Sequence, residues 1–224
     1  MKNIFILCLL LWPAMLPAQE IPLNKYGLPV ISSVPLYEQQ VKANSEMRLV
    51  RVNNIAIDVR YATKDNFTKT ALYPFAAVWL RQPAYEALLR LQEYLEPIGL
   101  GLKIFDGYRP YRVTEKMWEI VPDDRYAANP KTGSGHNRGV AVDLTLIYLK
   151  TGKELPMPTP YDDFTEKAHH DYMDLDAEVI ENRTLLRTLM EAHGFVALET
   201  EWWHYALKDA ARFPLMDIGF EELK

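Results

Sequence analysis

Hydrophobic and polar residues alternate most regularly from Val140 to Leu146. Val140, Val142, Leu144 and Leu146 fall on one face and Ala141, Asp143 and Thr145 on the other, the period-two pattern of a half-buried strand. Shorter alternations predict one or two strands between Arg48 and Val59, broken by a turn at Asn53-Asn54. They also predict a strand from Leu102 to Phe105 and a pair formed by 195–198 and 202–207. The helical period predicts a helix from Pro83 to Pro97, with Tyr85, Leu88, Leu89, Gln92 and Leu95 as its inner stripe and Gly99 closing it. A second helix covers Arg112 to Ile120. A third runs from Asp176 to His193, with Val179, Ile180, Leu186, Leu189 and Met190 inward and His193 placed to meet the negative end of the helix dipole. Residues 20–47 contain Pro22, Pro29 and Pro35 and predict an extended arm, draped on the domain or loose. The whole reads as one α+β domain over 48–224, a small antiparallel sheet with helices packed on its other face.

The strand at Val140 is preceded by Ser134-Gly135-His136-Asn137-Arg138-Gly139. Fully extended, the seven residues from His136 to Asp143 would span roughly 20 Å, too far for the two to share an ion. The chain must double back through Asn137-Arg138-Gly139, which has turn composition. Gly139 and Ala141 share a face with Asp143 and leave open space beside its carboxylate. Alone, this pair reads as a surface histidine before an ordinary strand with a solvated acid. Glu201-Trp202-Trp203-His204 adds a second imidazole and a further carboxylate. Two histidines, one carboxylate ligand and one spare carboxylate are what a catalytic zinc site requires. Glu201 and His204 would face opposite ways on a regular strand, so a bend or bulge is required between them if both serve one metal. His169 and His170 lie in a charged loop and read as surface or supporting groups.

Composition narrows the setting. The 224 residues carry a net charge of -5, with 49% apolar and 25% charged residues. That offers no broad basic surface for nucleic acid. Residues 1–19 differ from the rest: Lys2, an apolar run from Ile4 to Leu11, then Pro17-Ala18-Gln19. This resembles a secretory signal peptide, although Leu16 stands where a small residue is preferred. The run is too short for a transmembrane helix. A lipoprotein reading would use Cys8, but the bulky Leu7 before it argues against this. Cleavage would remove Cys8, the single cysteine, and with it any disulfide or cysteine-ligated metal. The expectation is an exported, periplasmic protein with no stable membrane insertion after cleavage.

The motifs Ser-x-His-x-x-Gly-x-Ala-x-Asp at 134–143 and Glu-x-Trp-His at 201–204 resemble the zinc D-Ala-D-Ala peptidase superfamily. Arg60-Tyr61-Ala62-Thr63-Lys64-Asp65-Asn66-Phe67-Thr68, Phe105-Asp106-Gly107-Tyr108-Arg109-Pro110 and Asp143-Leu144-Thr145-Leu146 resemble its VanX-type D-alanyl-D-alanine dipeptidases. The resemblance runs from about Val50 to Leu207. It implies one Zn2+ per chain on His136, Asp143 and His204, with Glu201 moving protons and Arg109 stabilising the oxyanion. Read from the residues alone, Arg109 is a structural ion-pair partner of Asp106. The resemblance further implies substrate contacts at Tyr61, Ser134 and Asp162, the last receiving the free amino group of a small D-amino-acid dipeptide. Without it, Tyr61 is a buried tyrosine in a connector and Asp162 a helix cap or solvated acid. Where relatives carry glycine, this chain has Lys69. The implied activity is zinc-dependent hydrolysis of D-Ala-D-Ala in cell-wall peptide metabolism. A D,D- or L,D-carboxypeptidase or endopeptidase acting on larger stem peptides is the alternative. A non-enzymatic, zinc-stabilised wall-binding module is a third reading, which requires neither Glu201 nor Arg109.

Overall fold

The structure is a computed structural model describing residues 20–223; the expected signal segment lies outside the described residues. In chain order its elements are β1 (Val30–Ile31), α1 (Val34–Ala43), β2 (Leu49–Arg51), β3 (Ala56–Ile57), β4 (Trp79–Arg81), α2 (Gln82–Leu95), β5 (Leu100–Asp106) and α3 (Tyr111–Ile120). They continue with β6 (Ala141–Tyr148), α4 (Ala177–Ala192), β7 (Phe195–Leu198), β8 (Glu201–Leu207) and β9 (Leu215–Met216). The main sheet has the order β3-β5-β6-β8-β7. It is antiparallel except at its edge, where β3 and β5 run parallel. That departure from an all-antiparallel sheet follows from the long path between them, through β4 and α2, which returns the chain in its original direction.

The alternation at Val140 becomes β6, the central strand. Both of its faces are buried from Ala141 to Ile147, so Asp143 is enclosed rather than half-solvated. Val142, Leu144 and Leu146 join one core with Leu88 and Leu91 of α2 and Leu186 and Met190 of α4. Each such side chain contributes about 1.5–3 kcal/mol on burial. In α2 the buried face is Ala84, Ala87, Leu88, Leu91, Gln92 and Leu95, rotated from the expected stripe so that Tyr85 and Leu89 flank it. Gln92 is tolerated inside because its Oε1 accepts the Leu102 N–H at 2.9 Å, tying α2 to β5. In α4, Leu186, Leu189 and Met190 point inward as expected. The side chain of Arg183 lies beside them and donates to the carbonyls of His169 and Tyr172. His193 ends the helix, with Nδ1 2.7 Å from the Leu189 carbonyl.

Residues 20–47 are not an extended arm. Pro35 sits in the first turn of α1, where the missing N–H costs no hydrogen bond, so it starts the helix instead of blocking it. β1 pairs in parallel with β9, and Ile31 and Leu36 are core residues. The segment is therefore built into the domain.

Arg81 connects this segment to the loop before β6. It is fully buried, with no carboxylate beside it among the described residues. Its Nε donates to the Arg138 carbonyl at 3.0 Å and its guanidinium also to the Met47 carbonyl. Its backbone N–H donates to Gly139 at 2.7 Å. Burial pushes its pKa down to about 10, so it remains a cation at neutral pH.

Candidate metal centre and active-site cleft

A tight turn folds His136 back onto β6. The Gly139 N–H donates to the His136 carbonyl at 2.9 Å, and Gly139 takes a left-handed φ of 73°. Small residues are needed here. A Cβ on Gly135 would lie 2.8 Å from that of Ala141, and one on Gly139 would lie 2.8 Å from Leu49 Cδ2. Asn137, inside the turn, is fully buried; its Nδ2 donates to the Arg109 carbonyl at 2.9 Å and to Thr114 Oγ1 at 2.8 Å. One amide thus fastens the histidine loop to the segment that carries Arg109.

The ligand atoms converge. His136 Nδ1 lies 2.7 Å from the Gly107 carbonyl, to which it donates, leaving Nε2 free for a metal. That Nε2 lies 3.3 Å from Asp143 Oδ1. His204 pairs with Asp143 across β6 and β8. Its Nδ1 lies 2.9 Å from Asp143 Oδ1 and 3.1 Å from His136 Nε2. The three ligand atoms lie within 4.8 Å of one another, and the described residues contain no other group of this kind. His169 and His170 are not part of it.

The expected irregularity in β8 is present. Ala197 faces Tyr205 while its neighbour Leu198 faces Glu201, so Trp202, Trp203 and His204 bulge between two paired positions. Glu201 is thereby brought to the ligand side, with Oε2 3.9 Å from His204 Nδ1. A second irregularity lies across β6. Ile104 faces Leu144 but Asp106 faces Asp143, leaving Phe105 without a partner.

Asp106 organises Arg109. Its Oδ2 accepts from Arg109 Nε at 3.0 Å and from Nη2 at 2.7 Å, while its Oδ1 accepts the Tyr73 hydroxyl. The ion pair and the cleft role anticipated for Arg109 therefore coexist: Asp106 holds one edge of the guanidinium and the residue still lines the cleft. Tyr61 is buried 5.3 Å from this guanidinium, and its hydroxyl donates to Asp162 Oδ1 at 3.0 Å. Asp162 has a left-handed φ of 63°. Its Oδ2 is enclosed and has no hydrogen-bond partner. Ser134 lines the cleft, though its hydroxyl bonds to Asn137 Oδ1 and serves the turn. Lys69 also takes a left-handed backbone, φ 56°, so the loop keeps a glycine-type geometry without glycine.

The cleft has a volume of about 460 Å³ and brings together His136, Asp143, His204, Glu201, Arg109 and Asp162. Its electrostatics fit a cation. Burial works against the charge of Asp143, yet the His136 and His204 rings hold its carboxyl well below the usual range. Burial, then Asp143 and Asp162, push the Glu201 carboxyl well up. Burial and Asp143 push Asp162 up to about 7. Burial lowers His204. Asp143, Asp162 and Glu201 share the cleft with Arg109, whose guanidinium is already paired with Asp106, while Arg125, the other arginine of the lining, is paired with Asp123. Among the described residues, the carboxyls around the ligand cluster thus have no free cation of their own. A divalent cation together with a substrate ammonium would neutralise them. The donor set of two imidazoles and one carboxylate suits zinc.

Four residues support this arrangement in roles that the sequence did not assign to them. Tyr161 donates its hydroxyl to Asp143 Oδ2 at 2.9 Å. Tyr73, Asn137 and the Gly107 carbonyl position Asp106, the histidine loop and His136. Asn137 and Asp106-Gly107 stand inside the quoted motifs, whereas Tyr73 and Tyr161 lie outside them.

Comparison with known proteins agrees with this geometry. A family model described as D-ala-D-ala dipeptidase, of peptidase group M15, matches residues 44–222. The chain is 36% identical to a D-alanyl-D-alanine dipeptidase of Escherichia coli (strain K12) over 73% of this chain and 84% of that protein. It is 38% identical to one of Streptomyces coelicolor over 70% and 88%. Among solved structures, vancomycin resistance D,D-dipeptidase VanXYg in complex with a D-Ala-D-Ala phosphinate analog aligns with a TM-score of 0.37 and 16% identity, over 71% of this chain and 67% of that one. With its cluster of two histidines and an aspartate on a bulged sheet, and a family match over most of its length, the chain belongs to the M15 D-ala-D-ala dipeptidase family of metallopeptidases.

Proposed function

We propose that the protein is a zinc-dependent dipeptidase that hydrolyses D-Ala-D-Ala in cell-wall peptide metabolism, exported to the periplasm. The observation that carries the reading is Asp162 Oδ2, enclosed and without a partner in the cleft that holds the His136–Asp143–His204 cluster. A dipeptide presents a free ammonium next to the scissile bond, and a carboxylate is its natural partner in a site that excludes water.

His136 Nε2, Asp143 Oδ1 and His204 Nδ1 would hold the metal. When bound, zinc acidifies the attacking water and polarises the scissile carbonyl. Glu201 accepts the water's proton and passes it to the leaving amine. Its burial among carboxylates raises its affinity for that proton, which suits a group that must hold it between the two steps. Arg109 donates to the developing oxyanion from the edge that Asp106 leaves free, and the two bonds from Nε and Nη2 to Asp106 Oδ2 keep the guanidinium from turning away. Tyr61 occupies Asp162 Oδ1, so Oδ2 is left for the substrate ammonium. Trp203 and Tyr61 form walls of the cleft.

Blocking the substrate's amine tests this. D-Ala-D-Ala should be cleaved well and N-acetyl-D-Ala-D-Ala poorly. Leaving a buried carboxylate unpaired costs roughly 2–5 kcal/mol, or about 30- to several-thousand-fold in kcat/KM. Asp162→Asn should narrow the gap mainly by harming the free dipeptide. Comparable kcat/KM for the two substrates would reject the dipeptidase and favour a carboxypeptidase acting on longer stem peptides. Export rests on Lys2 and the apolar run from Ile4 to Leu11, and cell fractionation checks it. Among the described residues, no helix is long and apolar enough to cross a membrane.

A further inference from the structure

Asp143 has two carboxylate oxygens, and the structure gives them different neighbours. Oδ1 faces His136 Nε2 at 3.3 Å and His204 Nδ1 at 2.9 Å. Oδ2 instead accepts the Tyr161 hydroxyl at 2.9 Å. Tyr161 does not line the cleft. It lies behind the wall, its ring stacked on Phe105 at 4.6 Å and 19° and edge-on to Trp203 at 5.5 Å. Phe105 is the residue left unpaired where β5 slips against β6. The sheet irregularity beside the ligand strand therefore supplies the platform on which the tyrosine rests.

The next residue in the chain is Asp162, held at a φ of 63°. For a residue other than glycine this backbone costs roughly 1–2 kcal/mol. It turns the Asp162 carboxylate into the cleft while the ring of Tyr161 stays outside it. A single dipeptide thus reaches the metal ligand with one side chain and the substrate's amine with the other. Tyr161 and Asp162 also share a third neighbour, Tyr61, which packs edge-on to the Tyr161 ring at 6.1 Å and bonds to Asp162 Oδ1.

We propose that Tyr161 is a positioning residue: its hydroxyl commits Asp143 Oδ2, so that Asp143 binds the metal through Oδ1 alone, and its stacked ring sets the backbone turn that presents Asp162 to the substrate ammonium. The first part rests on the zinc reading above; the second rests on packing. A hydrogen bond to the non-ligating oxygen of a carboxylate fixes the orientation of the ligand, and losing such partners commonly weakens metal binding about 10- to 100-fold.

Tyr161→Phe removes the hydroxyl and keeps the ring. By chelator competition, its zinc affinity should fall about 10- to 100-fold, while the thermal midpoint of the zinc-free protein stays close to that of the native chain. The cobalt-substituted variant should show weaker visible d–d absorption than native, because a freed Asp143 can add its second oxygen and raise the coordination number. At saturating zinc, the preference for D-Ala-D-Ala over its N-acetyl form should persist. Tyr161→Leu, which also loses the stack on Phe105, should lose that preference as well. Zinc affinity within twofold of native and an unchanged cobalt spectrum in Tyr161→Phe would overturn the assignment of the hydroxyl. An undiminished amine preference in Tyr161→Leu would overturn that of the ring. If the native protein itself binds no zinc, the zinc reading fails, and that outcome is distinct from either of these.

Discussion

Glu201 is buried with Oε2 3.9 Å from His204 Nδ1 and, among the described residues, makes no salt bridge to a lysine or arginine. A carboxylate buried without such a partner is costly, which argues for a task in proton transfer. Glu201→Gln removes the proton acceptor and preserves the shape. The variant should retain its zinc, read by elemental analysis, and lose about 10²- to 10⁴-fold in kcat. Loss of zinc instead would exchange the roles of Glu201 and Asp143. The residues nearest the chemistry were legible because histidine is scarce and each stands a short spacing from a carboxylate: His136 with Asp143, and Glu201 with His204. Those that support them were not. Tyr161 reaches Asp143 from 18 residues away and Tyr73 reaches Asp106 from 33. Nothing local in the chain marks a tyrosine that will end beside a carboxylate after folding.

At the scale of elements, periodicity located β6, α2, α3 and α4 to within a few residues, because each buries a face against the same core. The bulge in β8 followed from the odd spacing of Glu201 and His204 once both were assigned to one metal site. The 20–47 segment was misjudged because proline opposes helix only in the interior, and Pro35 stands at the start. Tertiary context also rotated α2: Leu91 is buried in the core, while Tyr85 and Leu89 lie at its margin. The turn before β6 offers a direct test. Gly139→Ala combines a φ of 73° with a contact of 2.8 Å to Leu49 Cδ2 and one of 3.2 Å to Arg81 Cγ. It should destabilise the zinc-free protein by roughly 2 kcal/mol in urea unfolding and also weaken zinc binding. Gly152→Ala is the control. Its φ of 68° is similar, but nothing lies within 4 Å of the added Cβ. It should cost about 1–2 kcal/mol from the backbone alone and leave zinc affinity unchanged.

Over the whole molecule, one sheet separates two environments, with the leucine-rich core on one side and a cleft rich in carboxylates on the other. The cleft carries repulsion that a bound cation relieves, so the metal should stabilise the fold as well as supply chemistry. At free zinc about 1,000-fold above its dissociation constant, the gain should be about 4 kcal/mol. A strong chelator should lower the thermal midpoint accordingly. His170, which is not one of the cluster's ligands, adds a further dependence on pH. Its ring packs against Tyr205 at 6.1 Å, and its Nε2 is enclosed without a partner. Burial lowers its pKa from 6.5 to about 4, with Arg187 and Arg183 adding to the effect and Glu199 and Glu191 opposing it. The unfolded chain therefore takes up the proton first as pH falls. The contribution of the neutral ring is fully present above about pH 6.5, declines between 6.5 and 4, and is gone below that. His170→Gln cannot titrate, so the difference in unfolding free energy between native and variant isolates this group from the cleft carboxylates. On acidification from pH 7 to 4, the native protein should lose up to about 3 kcal/mol more than the variant. Parallel curves for the two proteins across that window would show that the folded state accommodates a charged His170 beside Glu199 and Glu191.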